Sequence, residues 1–173
     1  VEDVIDYEQL TAETHVTLEL ETKSGKIVTA EVDKEEYEPL GIYFESGLMS
    51  KVRSCKNKCV FCFIDQMPKG GRDTLHFKDD DWRLSLIMGN YVSLTNVDDK
   101  EFDRILRRRV SPLYVSIHAT DGAVRTRMMA NPSAARIMEL LTALKEHGLC
   151  FHGQIVVCPG LNDGDVLKKS LND

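Results

Sequence analysis

The stretch Cys55-Lys-Asn-Lys-Cys59-Val-Phe-Cys62 places three cysteines within eight residues, in the spacing C-x3-C-x2-C. Three thiolates can hold a four-iron cluster and leave one iron without a protein ligand. An open iron can bind and activate a molecule, whereas a fully ligated cluster mainly carries electrons or stabilises structure. We therefore predict that Cys55, Cys59 and Cys62 are the metal ligands of a reactive iron–sulfur site.

A zinc site is the alternative use of these cysteines. Structural zinc sites commonly combine a C-x2-C pair with a distant second pair, and the chain has no second pair. His76 or His118 could supply a fourth ligand, but no spacing requires it. We interpret Cys150 as a core residue, and Cys158, which precedes Pro-Gly, as a small buried apolar side chain.

The bulk composition limits the compartment and the partners. Five cysteines, three of them clustered, are atypical of a secreted disulfide framework and favour a reducing cytoplasm. A net charge of -6 argues against nucleic acid as an electrostatic partner. No apolar run reaches the roughly 18 residues of a membrane span, and we expect neither a signal peptide nor a membrane partner. The chain starts without Met and stops inside a predicted helix, so we expect it to be a piece of a longer protein.

The N-terminal part has the pattern of a small β module. Apolar and polar residues alternate on both sides of the turn Ser24-Gly25-Lys26, which predicts a β-hairpin over residues 16 to 32. The segment Val4–Tyr7 fits either a strand or the start of a helix. The charged residues 33 to 40 indicate a boundary, and Gly41–Phe44 is predicted as a short buried strand leading to the cysteines.

From residue 84 the pattern alternates between strands and helices. Four apolar stretches are predicted as strands: Leu84–Ile87, Tyr91–Leu94, Leu113–Ile117 and Phe151–Val157. Helices are predicted over residues 98 to 109, from the Asn131 cap and Pro132 to Gly148, and from Leu161 onward. This alternation is typical of parallel βαβ units, so we predict an α/β fold.

Polar residues lie near or just after the carboxyl ends of the predicted strands, where reactive groups gather in parallel α/β folds. They are Thr95 and Asn96, then Ser116, His118 and Thr120, then Gln154, Cys158 and Asn162. The cysteine loop should lie at the same end, because it is predicted to follow the first strand. The run Asp79-Asp80-Asp81 lacks a calcium-loop pattern and is predicted to form an ordered loop held by charge contacts.

The motif Cys55-x3-Cys59-x-Phe61-Cys62 resembles the signature of radical S-adenosylmethionine (radical SAM) enzymes, including the aromatic residue before the third cysteine. Further stretches resemble one subgroup, which joins a PDZ-like segment, a radical SAM domain and a C-terminal domain of unknown function. These stretches are residues 62–70, 77–81, 89–96, 111–120 and 154–160. The resemblance implies that residues 1–36 are the last strands of the PDZ-like domain. Residues 37–173 would be the N-terminal part of a TIM-barrel-like partial (β/α) barrel.

The same resemblance implies the cofactors. Cys55, Cys59 and Cys62 would ligate a [4Fe–4S] cluster whose open iron binds S-adenosylmethionine. One-electron reduction, by a donor such as ferredoxin or flavodoxin, would then release a 5′-deoxyadenosyl radical that takes hydrogen from an unknown substrate. The catalytic residues are unknown. The alternatives are an iron–sulfur electron-transfer or sensing protein without this chemistry, and a zinc-stabilised binding module.

The resemblance also implies which residues contact the cofactor, by their positions in the matching stretches. Phe61 would pack near the adenine, and Ser116 and His118 would contact the ribose or the methionine. Gln154 and Val157–Gly160 would line the adenine end. The chain lacks the Gly-Gly-Glu motif of many relatives, and either Thr95-Asn96 or the backbone at Gly89-Asn90 would take its place.

Overall fold

A computed structural model describes residues 1–173, which form two compact units, Val1–Val52 and Arg53–Asp173. The predicted domain boundary after residue 36 falls within the first unit and stays a prediction. None of the helices is long and apolar enough to cross a membrane.

The first unit consists of a helix and a hairpin. Helix α1 covers Val4–Leu10, and the Asp3 side chain caps it by accepting a hydrogen bond from the Ile5 amide. Of the two structures predicted for Val4–Tyr7, a strand or the start of a helix, the helix is therefore the one observed. Strands β1 (His15–Glu21) and β2 (Ile27–Asp33) pair antiparallel, which confirms the predicted hairpin.

The predicted strand at Gly41–Phe44 is wrong, because this segment is irregular. Gly41 has a φ of 71°, which interrupts an extended backbone, and Tyr43 is fully exposed rather than buried. Phe44 instead packs edge-on against Tyr7 of α1, with ring centroids 5.0 Å apart.

The second unit contains the remaining helices and strands. In chain order they are a 3-10 helix (Asp73–His76), α2 (Trp82–Met88), α3 (Asp99–Arg107), β3 (Leu113–Ser116), α4 (Gly122–Met129), a second 3-10 helix (Pro132–Arg136), α5 (Ile137–Glu146), β4 (Phe151–Gln154) and α6 (Gly164–Asn172). Its core includes Ile105, Leu113, Val115, Ile137 and Leu144, all fully buried.

Strands β3 and β4 pair in parallel, with Leu113 opposite Phe151 and Ser116 opposite Gln154. Val92 adds an isolated parallel bridge to Val115, so Tyr91–Leu94 contributes a bridge rather than a full strand. The predicted parallel βαβ unit is therefore confirmed for β3, α5 and β4, and the fold is mixed α/β. The sheet does not close into a barrel, and the partial barrel stays a prediction.

The predicted strand at Leu84–Ile87 is wrong, because these residues lie in α2. Asp81 caps this helix by accepting a hydrogen bond from the Arg83 amide, and Gly89 ends it with a φ of 74°. The short apolar run could not separate a strand from a helix, whereas these two flanking residues specify a helix.

Three of the remaining helices match the predictions closely and one was not predicted. Asp98 caps α3, and the Asn131 side chain caps the 3-10 helix that begins with Pro132 and continues into α5. Helix α6 begins at Gly164. Helix α4 (Gly122–Met129) was missed, because it has no apolar stripe and buries an arginine, Arg125.

Candidate functional site

One cavity of about 610 Å³ in the second unit collects most of the predicted site residues. Its lining includes the three clustered cysteines and four predicted cofactor contacts. These residues are Cys55, Cys59, Cys62, Phe61, Ser116, His118 and Gln154. The cavity therefore brings together the cysteine loop and the carboxyl ends of β3 and β4, as the parallel pattern predicts.

The cysteine loop is anchored from inside the fold by Asn57, which is 2% exposed. Its Nδ2 donates to Ser93 Oγ at 2.9 Å. Its Oδ1 accepts from Thr95 Oγ1 at 2.9 Å and from Asn131 Nδ2 at 2.7 Å. A buried amide with three side-chain partners fixes the shape of the loop, because moving it would leave several polar groups unsatisfied.

The loop backbone is held against the end of α4. The amide of Lys58 donates to the Met129 carbonyl at 3.0 Å, and the amide of Val60 donates to the Met128 carbonyl at 2.9 Å. These two bonds bracket Cys59. The backbone at Cys59 is therefore held by the main chain of a helix that sequence reasoning missed.

Lys78 contacts the loop from the opposite side. Its Nζ donates to the Asn57 carbonyl at 2.9 Å and to Asp65 Oδ2 at 2.8 Å, and its own carbonyl accepts from the Cys55 amide at 2.8 Å. Burial lowers the pKa of Lys78, but hydrogen bonding to Asp65 and the proximity of Cys62 outweigh this effect, and the pKa is raised. Lys78 is therefore an ammonium ion at neutral pH.

Burial disfavours the thiolate form of Cys55 and Cys59. Burial raises the pKa of Cys55, and it raises the pKa of Cys59 to about 11, with further increases from the neighbouring thiols of Cys55 and Cys62. All five cysteines are free thiols. Three close thiolates repel one another, so they require positive charge to stay ionised together at neutral pH.

The three sulfurs do not converge on one ion. No group of three or more His, Cys, Asp or Glu side chains is placed to hold a single metal ion. The cysteines are instead spread along the lining of the cavity.

Phe61 and His118 form one wall of the cavity, with ring centroids 4.4 Å apart and the rings tilted by 58°. Burial, and secondarily the charge of Arg125, lowers the pKa of His118 to about 4, so the imidazole is neutral at physiological pH. Its Nδ1 accepts a hydrogen bond from the Val156 amide at 3.2 Å, which places the ring proton on Nε2.

The buried guanidinium of Arg125 connects the end of β3 to the segment Tyr91–Leu94. Arg125 is 1% exposed and donates to the carbonyls of Ser93, Ser116, Ile117 and Ala134 at 2.7 to 2.8 Å. Burial lowers its pKa to about 10, so it keeps its charge. Sequence reasoning missed Arg125, since an arginine in a polar helix usually marks a solvated face.

Asn162, fully buried, ties the segment after β4 to the end of β3. Its Nδ2 donates to the carbonyls of His118 (2.6 Å) and Val156 (2.9 Å), and its Oδ1 accepts from the Cys158 amide at 2.7 Å. Sequence reasoning placed Asn162 at this end of the sheet but gave it no role.

The acidic run is an ordered loop, as predicted, but hydrogen bonds to neutral groups hold Asp79 and Asp80, and Asp81 makes the predicted kind of charge contact. Asp80 accepts from the amide and hydroxyl of Ser93, Asp79 accepts from Asn90 Nδ2, and Asp81 forms a buried ion pair with Arg83. Burial is the main cause that raises the pKa of Asp80. Asp79 and Asp80 also line the cavity.

Thr95 and Asn96 lie outside the cavity lining. Thr95 is bonded to Asn57, and Asn96 Nδ2 donates to the Asp80 carbonyl at 2.9 Å. Both residues therefore support the walls of the site, and their direct contact with a cofactor stays a prediction.

The two downstream cysteines also lie outside the cavity lining. Cys158 is half-buried and packs against the core cluster of Met128, Met129 and Ala134. The interpretation of Cys150 as a core residue is wrong, because it is exposed just before β4, where its amide is bonded to Ser111 Oγ.

Residues 34–173 match the family described as Radical SAM-like domain. The match covers well over half of the chain and includes the whole cavity, and the chain belongs to this family. No curated protein matches the chain. The resemblance to radical SAM proteins is thus confirmed at the level of the family, whereas the PDZ-like segment and the C-terminal domain of the subgroup stay predictions.

Proposed function

We propose that this chain is the cofactor-binding part of a radical SAM enzyme. Cys55, Cys59 and Cys62 would hold a [4Fe–4S] cluster, and S-adenosylmethionine would occupy the adjoining cavity. When bound and reduced, this pair of cofactors supplies a 5′-deoxyadenosyl radical that takes hydrogen from a substrate. The observation that carries the proposal is that the three thiols share one cavity with Phe61, Ser116, His118 and Gln154.

The set of donor atoms fits a cluster. A four-iron cluster bonds each cysteine through a different iron, so its ligands surround a volume rather than meet at a point. The three thiols line one cavity of about 610 Å³, and no set of ligands for a single ion is present. The cysteine spacing and the family match support an iron–sulfur cluster over the zinc alternative.

The aromatic wall suits the nucleoside. Phe61 and His118 offer ring faces on which a base can stack, and half-buried Phe61 leaves part of its ring accessible. S-adenosylmethionine carries a positive sulfonium, and a neutral His118 adds no repulsive charge. We assign Phe61 to the adenine and His118 to the ribose or methionine.

The strand ends supply polar contacts. Ser116 and Gln154 are direct neighbours across the parallel strands β3 and β4, and both line the cavity. A hydroxyl and an amide side by side can donate to and accept from the polar edges of a ribose and a base. We assign Ser116 and Gln154 to these two groups.

The proposed reaction needs a one-electron donor, and we propose a small redox protein such as ferredoxin or flavodoxin. The substrate is unknown, and no catalytic residue is assigned beyond the cofactor contacts.

The test is reconstitution of the purified protein with iron and sulfide without oxygen, followed by reduction and chromatographic detection of 5′-deoxyadenosine. We expect four irons and four sulfides per chain, and 5′-deoxyadenosine formed only when S-adenosylmethionine is present. A stable cluster without this product would favour the electron-transfer or sensing alternative. One zinc per chain without sulfide would favour the zinc module.

A further inference from the structure

We propose that Lys78 is a positioning residue that closes the cysteine loop and places a fixed positive charge beside the three thiols. The predicted effect on the cluster rests on the function proposed above. The predicted effect on the loop is independent of that function.

The contacts of Lys78 span the loop. The Asn57 carbonyl lies between the first two cysteines, and Asp65 follows the third, so the two bonds from Nζ connect both ends of the motif. The Lys78 carbonyl also accepts from the Cys55 amide.

The ion pair alone does not explain this arrangement. Asp65 is 48% exposed, and an ion pair with such a partner adds little stability. The Lys78 side chain, however, is only 19% exposed and directs a second bond to a neutral carbonyl inside the loop. A lysine held in this way restrains the loop and keeps its charge within the cavity, whose lining includes both Lys78 and the three cysteines.

A positive charge at this place has a consequence for redox chemistry. Adding an electron makes a thiolate-bound cluster more negative, so a nearby ammonium favours the reduced form. Lys78 would therefore raise the reduction potential of a cluster bound by these cysteines.

The first measurement is hydrogen exchange of iron-free protein by mass spectrometry. Lys78→Met should speed amide exchange in residues 55–65 by about tenfold, because both charge-assisted hydrogen bonds from Nζ are lost. Lys56→Met is the matched control, because Lys56 is an exposed lysine of the same loop, and it should leave exchange unchanged. Unchanged exchange in Lys78→Met would overturn the proposal.

The second measurement is a redox titration of the reconstituted cluster followed by electron paramagnetic resonance. Lys78→Met should shift the equilibrium about tenfold toward the oxidised cluster, a decrease of about 59 mV for a one-electron couple. Lys78→Arg should restore the potential because it restores the charge. Lys56→Met should shift the equilibrium less than about twofold, because an exposed charge is screened.

A potential in Lys78→Met equal to that of the wild type or of Lys56→Met would overturn the proposal. If the wild-type protein never binds a cluster, the proposed function fails. The exchange measurement then still decides whether Lys78 closes the loop.

Discussion

Among individual residues, the predicted ligands can be identified from sequence patterns, whereas the residues that position them cannot. The cysteines and Phe61 form a motif, and Ser116, His118 and Gln154 lie near the carboxyl ends of predicted strands; the family resemblance implies their cofactor contacts. Asn57 and Lys78 act through hydrogen bonds to the loop, which no spacing encodes. Asn57 could have been suspected from its place between two cysteines, whereas Lys78 is distant in sequence.

Cys59→Ala should abolish the brown absorbance of the reconstituted cluster, because two cysteines do not hold four irons in the proposed geometry. Cys158→Ala is the matched control, since Cys158 is also a half-buried thiol near Met128 but lies outside the cavity lining. It should keep full absorbance. Equal loss in the two variants, measured by visible spectroscopy and iron content, would refute the ligand assignment.

Asn57→Ala should lower the free energy of unfolding by about 2 kcal/mol, because buried Ser93 and Thr95 and half-buried Asn131 each lose a hydrogen bond. Asn172→Ala, at an exposed position in α6, should change it by less than about 0.5 kcal/mol. Urea denaturation of iron-free protein measures both values. A similar small effect in both variants would show that Asn57 does not anchor the loop.

His118 should make stability depend on pH. Its pKa is lowered to about 4 in the folded protein, while the unfolded chain has an ordinary value near 6.5, so only the unfolded state binds a proton between these values. Stability from this group is complete above about pH 6.5 and decreases as the pH falls toward 4. The loss at pH 5 should be about 2 kcal/mol relative to pH 7.

His118→Gln removes the titrating ring and should flatten this dependence. Urea denaturation of iron-free protein at the two pH values gives the comparison. Parallel pH profiles for the variant and the wild type would contradict a neutral, buried His118.

At the scale of elements, the sequence predicted strands β3 and β4, helix α3, α5 and the hairpin, because apolar periodicity and end caps agree at each of them. It failed at α2 and α4. In both helices a buried arginine replaces part of the apolar pattern: Arg83 is paired with Asp81, and Arg125 is bonded to four carbonyls. Arg125 depends on tertiary partners, and Arg83 on the Asp81 cap, and hydrophobic periodicity registers neither.

Arg125 connects α4 to the chain at Ser93, Ser116 and Ile117, so its loss should affect several elements at once. Arg125→Met should lower the free energy of unfolding by about 3 kcal/mol or more, since buried carbonyls lose charged donors. Arg107→Met removes only an exposed pair with Asp103 and should cost less than about 0.5 kcal/mol. Thermal unfolding followed by circular dichroism distinguishes the two, and equal melting temperatures would contradict the role of Arg125.

At the scale of the whole molecule, the second unit contains every residue of the proposed site, and the family match extends over all of it. The first unit supplies none of the lining of this cavity. The proposed cofactor chemistry therefore depends on the fold of residues 53–173. The predicted partial barrel and the PDZ-like segment do not enter the assignment of the cysteines.

The most direct test of the central claim is electron paramagnetic resonance of the reduced, reconstituted protein before and after addition of S-adenosylmethionine. We expect the cluster signal to change on addition, because three cysteines leave one iron open to this ligand, and we expect Cys59→Ala to give no such cluster signal. A wild-type cluster signal that is identical with and without S-adenosylmethionine would show that the cluster has no iron open to this ligand.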